Sequence, residues 1–577
     1  MDERSQHLYE LGVADLASRF DSELNLVRNP FLPQYHSPHP SLWYAGSLLR
    51  TGDRRPAEQI IDAALALQQL DERDPHFGNF RWHYQDPGVF DLNACQFVLE
   101  AFLAMHLDVL SHEQRSRVCD AMKLAYAEAE RLDVHWTYTN IFLLDLHNRI
   151  LGGQIVGDER WVNQGEQRLR EWASRTRDVG APHEFNSPTY AAVDLICLAN
   201  LAARAADERT RDLALEMEQF VWRHIAQYWH ANTMQLGGPH SRAYRRDVTG
   251  AAGFLKVVLY KLLGDQRLLA KTPYYEGPDA EGHVIVAGTE FHCPPDARAM
   301  FHEPATRAVR EVVAHSPETV ATAVVTPAFT LGTMTRQYGV GGPPEPWPMN
   351  NSCIAYWKRG GEPGYGVLYT RYRINAGRTG VPSREKAPPW LDIWEDGVFR
   401  VVQEGGRAVA GYGLTPRGQR PMESLRLDIR LLGPGPVCVR FGENVWDGAP
   451  AEVNGQAVVI ADGDLYIGIV PLVPTAMDVG SRSVLWRDGG ETVLSIVNYE
   501  GPPKVFWEYR SLGGPFWKGN MRNGFALWIA PPGEFESPAS FANALAGTPL
   551  KDEVEGTLRR VGFGDLRLEY DLCQMWP

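Results

Sequence analysis

Between about residue 8 and residue 265, apolar residues recur three or four positions apart, which is the spacing of one face of an α-helix. The pattern predicts a series of amphipathic helices, each of which needs a neighbour to cover its apolar face. The clearest runs are Ile60, Ile61, Ala64, Leu65 and Leu67, then Phe97, Val98, Ala101, Phe102 and Met105, then Ile141, Leu143, Leu144 and Leu146.

Three connections between these helices share one local sequence, a Gly-Asp pair at 52–53, 157–158 and 264–265. Glycine suits the left-handed residue that follows a helix, and aspartate caps the start of the next one. This recurrence predicts stacked helical hairpins. About ten helices in antiparallel pairs form an α/α toroid whose inner helices line a cleft, and an open helical solenoid is the alternative arrangement.

Beyond about residue 280 the pattern changes to alternation and to β-branched or aromatic runs, closely separated by Gly and Pro, which predicts stacked antiparallel sheets. Examples are residues 284–286, 319–325, 365–370 and 465–470. The fold class is therefore α+β, with an N-terminal α/α toroid and a C-terminal antiparallel β-sandwich. The expected division is a catalytic toroid at 1–280, a linker and first strands at 281–310, with the Pro-rich stretch 293–304, and the β domain at 311–577.

Composition narrows the range of partners. A net charge of -14 argues against nucleic acid, because phosphate binding needs a basic surface, so an anionic substrate would need a local basic patch. Aromatic residues form 11% of the chain, which suits contact with sugar rings as well as core packing. The seven cysteines are scattered without metal-ligand spacing, which indicates reduced, buried thiols and no metal site.

No apolar run is long enough to cross a bilayer, and the charged N-terminus lacks the apolar region of a signal peptide. We therefore expect no membrane partner and a cytoplasmic protein, or a secreted or periplasmic one if the chain has been trimmed. The oligomeric state stays open.

Candidate chemistry is concentrated in three polar segments, each placed just before a predicted helix. They are His183-Glu184-Phe185-Asn186-Ser187-Pro188-Thr189-Tyr190, the segment 238–247 with His240, Arg242, Tyr244, Arg245 and Arg246, and the segment 135–140 with His135 and Asn140. All 17 histidines lie between His7 and His315, so imidazole chemistry has to come from the helical half or the linker. Because alternate helices of a toroid begin on the same rim, the three segments are expected to meet at one mouth.

Each segment also has a purely structural interpretation. Ser187-Pro188 is typical of a helix N-cap, which places Tyr190 in the first turn, where the helix dipole would lower the pKa of a phenol. Arg242 and its neighbours can fork onto a carboxylate of the substrate, or simply pair with acids of nearby helices. Asn140 is an ordinary helix cap if taken alone. Trp82 and His83, followed by Tyr84 and Asp86, form a weaker fourth candidate for the same rim.

The spacing G-x-x-x-E-x-x-S-P-x-Y, met here by Gly180, Glu184, Ser187, Pro188 and Tyr190, resembles the toroid-type polysaccharide lyases of the heparinase II/III-like and alginate-lyase-like group. The resemblance implies that Tyr190 is the Brønsted acid and often also the base. It further implies that Asn140 neutralises a uronate carboxylate and that a histidine, here His240, assists. The chain departs from the group in having Ala191 where histidine is common, and no histidine after His315.

The chemistry of such a lyase needs no cofactor. Removing the proton next to a carboxylate creates a dianionic enolate, so Asn, His or Arg must neutralise the carboxylate while a tyrosine moves protons to the departing oxygen. The sequence thus predicts a lyase acting on a uronate-containing polysaccharide or oligosaccharide. Its expected catalytic residues are Tyr190, His240, Asn140 and Arg242, and its expected substrate-binding residues are His183, Glu184, Asn186, Tyr244, Arg245, His135, Trp82 and His83.

Three other functions remain open at this stage. An inverting glycoside hydrolase would use two carboxylates roughly 6.5 to 9.5 Å apart, with Glu184 paired with Asp247, Asp86 or Asp194. A sugar epimerase on the same toroid would account for the abundant histidines. A non-catalytic carbohydrate-binding protein would account for the aromatic residues, but not for the clustering of proton-transfer groups.

Overall fold

The computed structural model describes residues 1–105, 107–250, 253–272, 274, 282–316, 318–337, 349–360, 364–377, 379, 395–414, 421–433, 438–463, 465–505, 508–509, 521–531 and 533–572. Its α-helices are α1 (Glu3–Arg19), α2 (Pro38–Thr51), α3 (Arg54–Leu65), α4 (Ala94–Ala104), α5 (His112–Leu132), α6 (Thr139–Val156), α7 (Glu159–Val179), α8 (Tyr190–Arg204), α9 (Glu208–Tyr228), α10 (Arg245–Val248), α11 (Phe254–Leu263), α12 (His283–Gly288), α13 (Pro295–His302) and α14 (Pro538–Gly547).

The helices of the first half form a closed ring of hairpins. Neighbouring contacts run from α2 to α4, α6, α8 and α11, and α12 and α1 complete the circle back to α2. Helices α3, α5, α7 and α9 lie outside and pack on inner partners. This closed ring is the α/α toroid predicted from the sequence, and it excludes the open solenoid. Because short connections join the members of each hairpin, the inner helices run in the same direction and begin on one rim.

The glycines of the three Gly-Asp connections take the predicted conformation, but only Asp158 and Asp265 cap the next helix through their side chains, because Asp53 makes no side-chain cap hydrogen bond. Gly52, Gly157 and Gly264 adopt φ angles of 89°, 73° and 77°, in the left-handed region that closes a helix. Asp158 then caps α7 by accepting hydrogen bonds from the backbone N–H groups of Arg160 and Trp161. Short connections of this kind let each outer helix return directly along its inner partner.

The second half is an antiparallel sandwich. Its strands are β6 (Arg307–His315), β7 (Glu318–Val325), β8 (Phe329–Met334), β9 (Cys353–Lys358), β10 (Tyr365–Ile374), β11 (Val398–Glu404), β12 (Arg407–Gly413), β13 (Met422–Leu432), β14 (Cys438–Phe441), β15 (Asn444–Val445), β16 (Ala451–Glu452), β17 (Val458–Asp462), β18 (Leu465–Pro471), β19 (Arg482–Asp488), β20 (Glu491–Lys504), β21 (Arg522–Ala530), β22 (Leu550–Glu555), β23 (Leu558–Phe563) and β24 (Leu566–Asp571). Short strands β1 (Phe20–Asp21), β2 (Leu26–Arg28), β3 (His36–Ser37), β4 (Trp229–His230) and β5 (Gln235–Leu236) belong to the helical half.

Two large sheets face each other across one apolar core. The first has nine strands in the order β16-β19-β20-β13-β10-β9-β8-β7-β6, and the second has seven in the order β11-β12-β21-β18-β17-β14-β15. Buried residues of both sheets form a single cluster between them. The small sheet β22-β23-β24 and helix α14 cover the outer face of the second sheet. The predicted fold class, a toroid followed by an antiparallel sandwich, is thereby confirmed.

Two details of the sequence prediction were wrong. Residues 284–286, predicted as a strand from their β-branched side chains, lie in helix α12. Helix α12 closes the ring by packing so tightly on α1 that a Cβ added at Gly12 would lie 2.7 Å from Val284. Tertiary packing therefore overrides local propensity here. The stretch 293–304, expected to be a linker, contains helix α13, which begins with Pro295 at its first position.

The sandwich packs on the loop 238–247 of the toroid. The backbone N–H of His240 donates to Asn351 O at 3.1 Å, and the N–H of Asn351 donates back to His240 O at 2.9 Å. The hydroxyl of Tyr356, on β9, donates to Asp247 O at 3.0 Å. The nine-stranded sheet therefore holds a loop that reaches the inner rim.

Among the described residues, no helix is both long and apolar enough to cross a membrane.

Candidate active site

The structure brings the three polar segments of the sequence into contact. Glu184 is the residue on which they meet, and its side chain is fully buried. Its Oε2 accepts hydrogen bonds from the backbone N–H of Asn140 at 3.1 Å and from Asn140 Nδ2. Its Oε1 pairs with Arg242 Nη1 at 3.2 Å. Each partner comes from a different segment, so Glu184 ties the starts of α6 and α8 to the loop 238–247.

This arrangement changes the expected role of Asn140. The sequence predicted that Asn140 would neutralise a carboxylate of the substrate, but the carboxylate that it binds belongs to the protein. Asn140 is 0% exposed. Its Oδ1 has no hydrogen-bond partner among the described residues. We therefore treat Asn140 as a positioning residue for Glu184.

Arg242 connects Glu184 to a group of three tyrosines. Its Nη2 donates to the hydroxyl of Tyr244 at 3.1 Å. Its guanidinium carbon lies 4.3 Å from the ring centroid of Tyr190, 5.4 Å from that of Tyr138 and 5.9 Å from that of Tyr244. A guanidinium over aromatic faces is held by the ring quadrupoles while its N–H groups remain directed at the ion-pair partner. The charge of Arg242 is thus fixed beside three phenols.

The hydroxyl groups of Tyr190 and Tyr244 form a direct, short hydrogen bond. Both tyrosines remain partly exposed, whereas Glu184, Asn140 and Arg242 are buried. The phenol pair is therefore the part of this cluster that solvent reaches.

The pKa predicted for Tyr190 was wrong in direction. The helix begins at Tyr190, whose N–H donates to Ser187 Oγ at 3.3 Å, so the residue does stand in the first turn. Burial nevertheless raises the pKa of Tyr190 well above its usual value, although Arg242 lowers it. Desolvation raises the pKa more than the helix dipole lowers it, because burial destabilises the charged phenolate and not the neutral phenol. The Tyr190 phenol is accordingly neutral at ordinary pH.

His240 does not join this cluster. It is 0% exposed, its Nε2 lies 3.1 Å from Leu236 O, and its Nδ1 lies 3.3 Å from Asn351 Nδ2. Burial lowers the pKa of His240 to about 4. As a neutral imidazole it donates to Leu236 and accepts from Asn351. The proton-moving role expected of His240 is therefore revised to one of holding the loop against the sandwich.

Arg245 and Asn186 also take structural positions. Arg245 Nη2 pairs with Glu491 Oε1 of strand β20 at 3.1 Å, across the boundary between the two halves. Asn186, in the left-handed region at φ 50°, donates from Nδ2 to Gly237 O and Pro239 O, both at 2.7 Å. Both side chains fix the loop that carries Arg242 and Tyr244.

His183 and His135 lie together near the rim, around a residue that the sequence prediction left out. The ring of Trp136 lies 5.2 Å from that of His183 in an edge-on arrangement and 5.5 Å from that of His135. His135 is exposed, and its Nδ1 lies 2.7 Å from Thr137 Oγ1. Burial, followed by the nearby charge of Arg175, lowers the pKa of His135. These histidines remain candidates for substrate contact.

The fourth candidate segment has partners of its own. Trp82 packs edge-on against Phe97, with ring centroids 5.2 Å apart. His83 lies 3.3 Å from Asp86 Oδ2 and 3.2 Å from Asn29 Nδ2. Burial lowers the pKa of His83, against the opposing effect of Asp86. Trp82 and His83 thus contact residues of their own part of the toroid. Their role in substrate binding stays a prediction.

The carboxylates that a hydrolase would need are enclosed. Asp194, on α8, is 2% exposed, and burial raises its pKa well above the usual value, with Glu184 adding to the shift. Asp247 is 4% exposed and accepts from Tyr244 N at 2.8 Å and Thr189 Oγ1 at 3.0 Å. With Glu184 also buried, these three acids give a glycosidic bond no open carboxyl pair.

Asp247 is the functional residue that the sequence prediction missed in this role. Thr189 directly precedes Tyr190, and Tyr244 is the N-cap of helix α10, so Asp247 links the segments that carry the two phenols through the Thr189 hydroxyl and the Tyr244 backbone N–H. The available signal was an aspartate three residues after the N-cap, a position from which an acidic side chain reaches back to the N-cap backbone N–H. Within the described ranges, no group of three or more His, Cys, Asp or Glu residues is arranged to hold a metal ion.

Comparison with known proteins gives one family match and several structural similarities. A family model described as a domain of unknown function (DUF8769) matches residues 6–285, which begin within α1, contain α2 to α11 and end within α12. No curated protein sequence matches the chain.

Among solved structures, the chain is similar to heparinase III, with 8% identity over 99% of this chain and 91% of that one and a TM-score of 0.39. It is also similar to a chondroitin AC lyase from Streptomyces coelicolor A3 in complex with chondroitin sulphate, with 12% identity over 99% and 85% and a TM-score of 0.44. A third similarity is to a mutant of heparan sulfate lyase HepC from Pedobacter heparinus, with 9% identity over 99% and 89% and a TM-score of 0.37.

Proposed function

We propose that the protein is a polysaccharide lyase that cleaves a uronate-containing polysaccharide or oligosaccharide by β-elimination. The observation that carries this proposal is the hydrogen-bonded pair of Tyr190 and Tyr244, partly exposed and held beside the buried charge of Arg242. A cation next to two phenols supplies both requirements of the reaction, which are proton transfer and compensation of negative charge.

The two phenols divide the proton transfers. Tyr244 accepts a hydrogen bond from Arg242, whose N–H is directed at the oxygen that carries the negative charge while Tyr244 is the phenolate base. That base removes the proton next to the uronate carboxylate. Tyr190, kept neutral by its raised pKa, protonates the glycosidic oxygen as its bond to carbon breaks and the double bond forms. The direct hydrogen bond then returns the proton from Tyr244 to Tyr190, which restores the starting state.

Arg242 has the additional task of stabilising the enolate. Two charges on the carboxylate side of the intermediate need a fixed positive partner in a site that water reaches poorly. Glu184 and Asn140 hold the guanidinium in place from behind. In a protein of net charge -14, this buried arginine is a basic group suited to attract an acidic substrate and not a nucleic acid.

The test is a screen of uronate-containing polysaccharides with two readouts from each reaction. A lyase produces new reducing ends together with absorbance near the ultraviolet edge from the unsaturated product. Release of reducing ends without that absorbance would show hydrolysis and overturn the proposal. The absence of both signals across the panel, in the presence of measurable binding, would favour a non-catalytic carbohydrate-binding protein.

A further inference from the structure

A cationic and aromatic patch lies beside the phenol pair, and we call its four residues, Trp136, Arg175, His135 and His183, the Trp136 patch. The guanidinium carbon of Arg175, an exposed residue of the outer helix α7, lies 5.1 Å from the ring centroid of Trp136. The imidazoles of His183 and His135 flank the same indole with centroid distances of 5.2 and 5.5 Å. One guanidinium and two imidazoles thus surround one half-buried indole.

Arg175 differs from its neighbours on α7 in how its charge is used. Arg168 pairs with Asp133 at 2.9 Å, and Arg177 pairs with Glu216 at 2.6 Å. Arg175 makes no ion pair with a carboxylate of the described residues, and its contact is the face of Trp136. Stacking orients a planar guanidinium while leaving the N–H groups along its edge available. In an acidic protein, a pre-oriented arginine of this kind is suited to an external anion.

The position of the patch ties it to the proposed active site. His183 directly precedes Glu184, and Trp136 lies two residues before Tyr138, whose ring lies beside Arg242. Two residues of extended chain span at most about 7 Å, so the patch and the Arg242 cluster are neighbours on the rim. A sugar residue attached to one bound beside Tyr190 would reach the patch.

We propose that the Trp136 patch is a second substrate subsite, which binds an anionic group on a sugar beyond the disaccharide unit that spans the cleaved bond. Arg175 forks onto a carboxylate or a sulfate of that sugar, Trp136 holds the guanidinium in plane, and His135 and His183 line the site. The subsite deepens the proposed function, because it requires a substrate that carries a charged group on consecutive or alternate residues. A neighbouring uronate and a sulfate ester share this chemistry, and the test below separates them.

Binding is measured by titration calorimetry in a Tyr190→Phe background, so that no ligand is cleaved during the measurement. The probes are a uronate disaccharide, a tetrasaccharide of the same backbone, and the sulfated form of that tetrasaccharide. Arg175→Ala should weaken tetrasaccharide binding by about threefold to tenfold and leave disaccharide binding unchanged, and the effect should shrink at high salt. Arg175→Lys should restore part of the loss, because it keeps the charge without the planar fork.

Arg170→Ala is the matched control, because Arg170 lies on the same helix, is exposed, and makes only a 3.9 Å contact with Glu166. It should bind all three probes like the parent. If only the sulfated tetrasaccharide responds to Arg175→Ala, the anion is a sulfate ester; if both tetrasaccharides respond, it is a carboxylate. The subsite is refuted if Arg175→Ala binds every probe within twofold of the parent, if the disaccharide is weakened equally, or if the parent binds none of them. A parent that binds tetrasaccharide through Arg175 while the wild-type protein forms no unsaturated product would instead overturn the lyase assignment alone.

Discussion

Replacing Tyr190 with phenylalanine tests the proposed proton donor with the least change to the structure. The substitution removes one oxygen and with it the hydrogen bond to Tyr244. The ring of residue 190 keeps its place 4.3 Å from Arg242, and Tyr244 keeps the hydrogen bond that Arg242 donates at 3.1 Å. The loss of one such bond costs about 0.5–1.5 kcal/mol of unfolding free energy, so Tyr190→Phe should fold.

The catalytic effect should be much larger than the effect on stability. General acid catalysis typically contributes about 10²- to 10⁴-fold, which corresponds to roughly 2.7 to 5.5 kcal/mol of activation free energy. The proton reaches the glycosidic oxygen only in the transition state, so the loss should appear in kcat with KM nearly unchanged. The rate of absorbance increase near the ultraviolet edge measures it, and thermal unfolding of the same preparation reports the fold.

Tyr138→Phe is the matched control for this experiment. Tyr138 contributes the third ring beside Arg242, at 5.4 Å, but its hydroxyl accepts a hydrogen bond from Asn93 instead of belonging to the phenol pair. Its removal should cost less than about tenfold in kcat, since it disturbs only the surroundings of the charge. Near-normal kcat in Tyr190→Phe, or equal losses in both variants, would refute the assignment of Tyr190.

Substitutions at three further buried residues test the surroundings of the site. Glu184→Ala should lower the free energy of unfolding by about 3–5 kcal/mol, because it leaves the buried Arg242 without its ion-pair partner. Glu184→Gln should keep a higher kcat than Tyr190→Phe. An inactive Glu184→Gln variant beside an active Tyr190→Phe variant would indicate hydrolysis. Asp247→Asn should lower kcat by about tenfold with little change in KM, since Asp247 aligns the segments that carry Tyr190 and Tyr244. An effect confined to the melting temperature would contradict that role. Burial lowers the pKa of Lys256 from its usual 10.5 to about 7. Above pH 7 the unfolded chain therefore holds more protons than the folded one, so the free energy of unfolding rises with pH. Measured by urea unfolding, this free energy should rise by about 2 kcal/mol more between about pH 7 and 9 in the wild type than in Lys256→Met. Equal pH slopes in the two proteins would show that Lys256 is not buried as a neutral amine.

The convergence of the site could be predicted because it follows from topology. Asn140 stands at the start of α6 and Glu184 just before α8, and inner helices of a toroid begin on one rim. Arg242 was recognisable as a basic group in an acidic chain with a polar segment around it. The sequence pattern therefore identified which segments meet, because helix periodicity and cap residues are local properties.

The partners of the individual side chains could not be predicted in the same way. His240 is satisfied by Asn351, and Arg245 pairs with Glu491, each more than a hundred residues away in the other half of the chain. Nothing local distinguishes a histidine that faces substrate from one that faces a sheet. The partners of Glu184 were unpredictable for the same reason. Asn140 and Arg242 bind the carboxylate of Glu184, but the sequence pattern is equally consistent with both residues binding a carboxylate of the substrate.

The pKa of Tyr190 shows why the magnitudes of competing effects decide a mechanism. A helix N-terminus stabilises a negative charge by about 0.3–1 kcal/mol, which is less than one pKa unit. Burial of an ionisable group shifts its pKa by up to about 3–5 units in the opposite direction, and here it dominates even against the charge of Arg242. In the proposed reaction, Tyr190 is consequently the donor that keeps its proton until it is transferred to the glycosidic oxygen. The base must then be a different group, and the hydrogen bond from Arg242 to Tyr244 places a positive charge where a second phenol needs it.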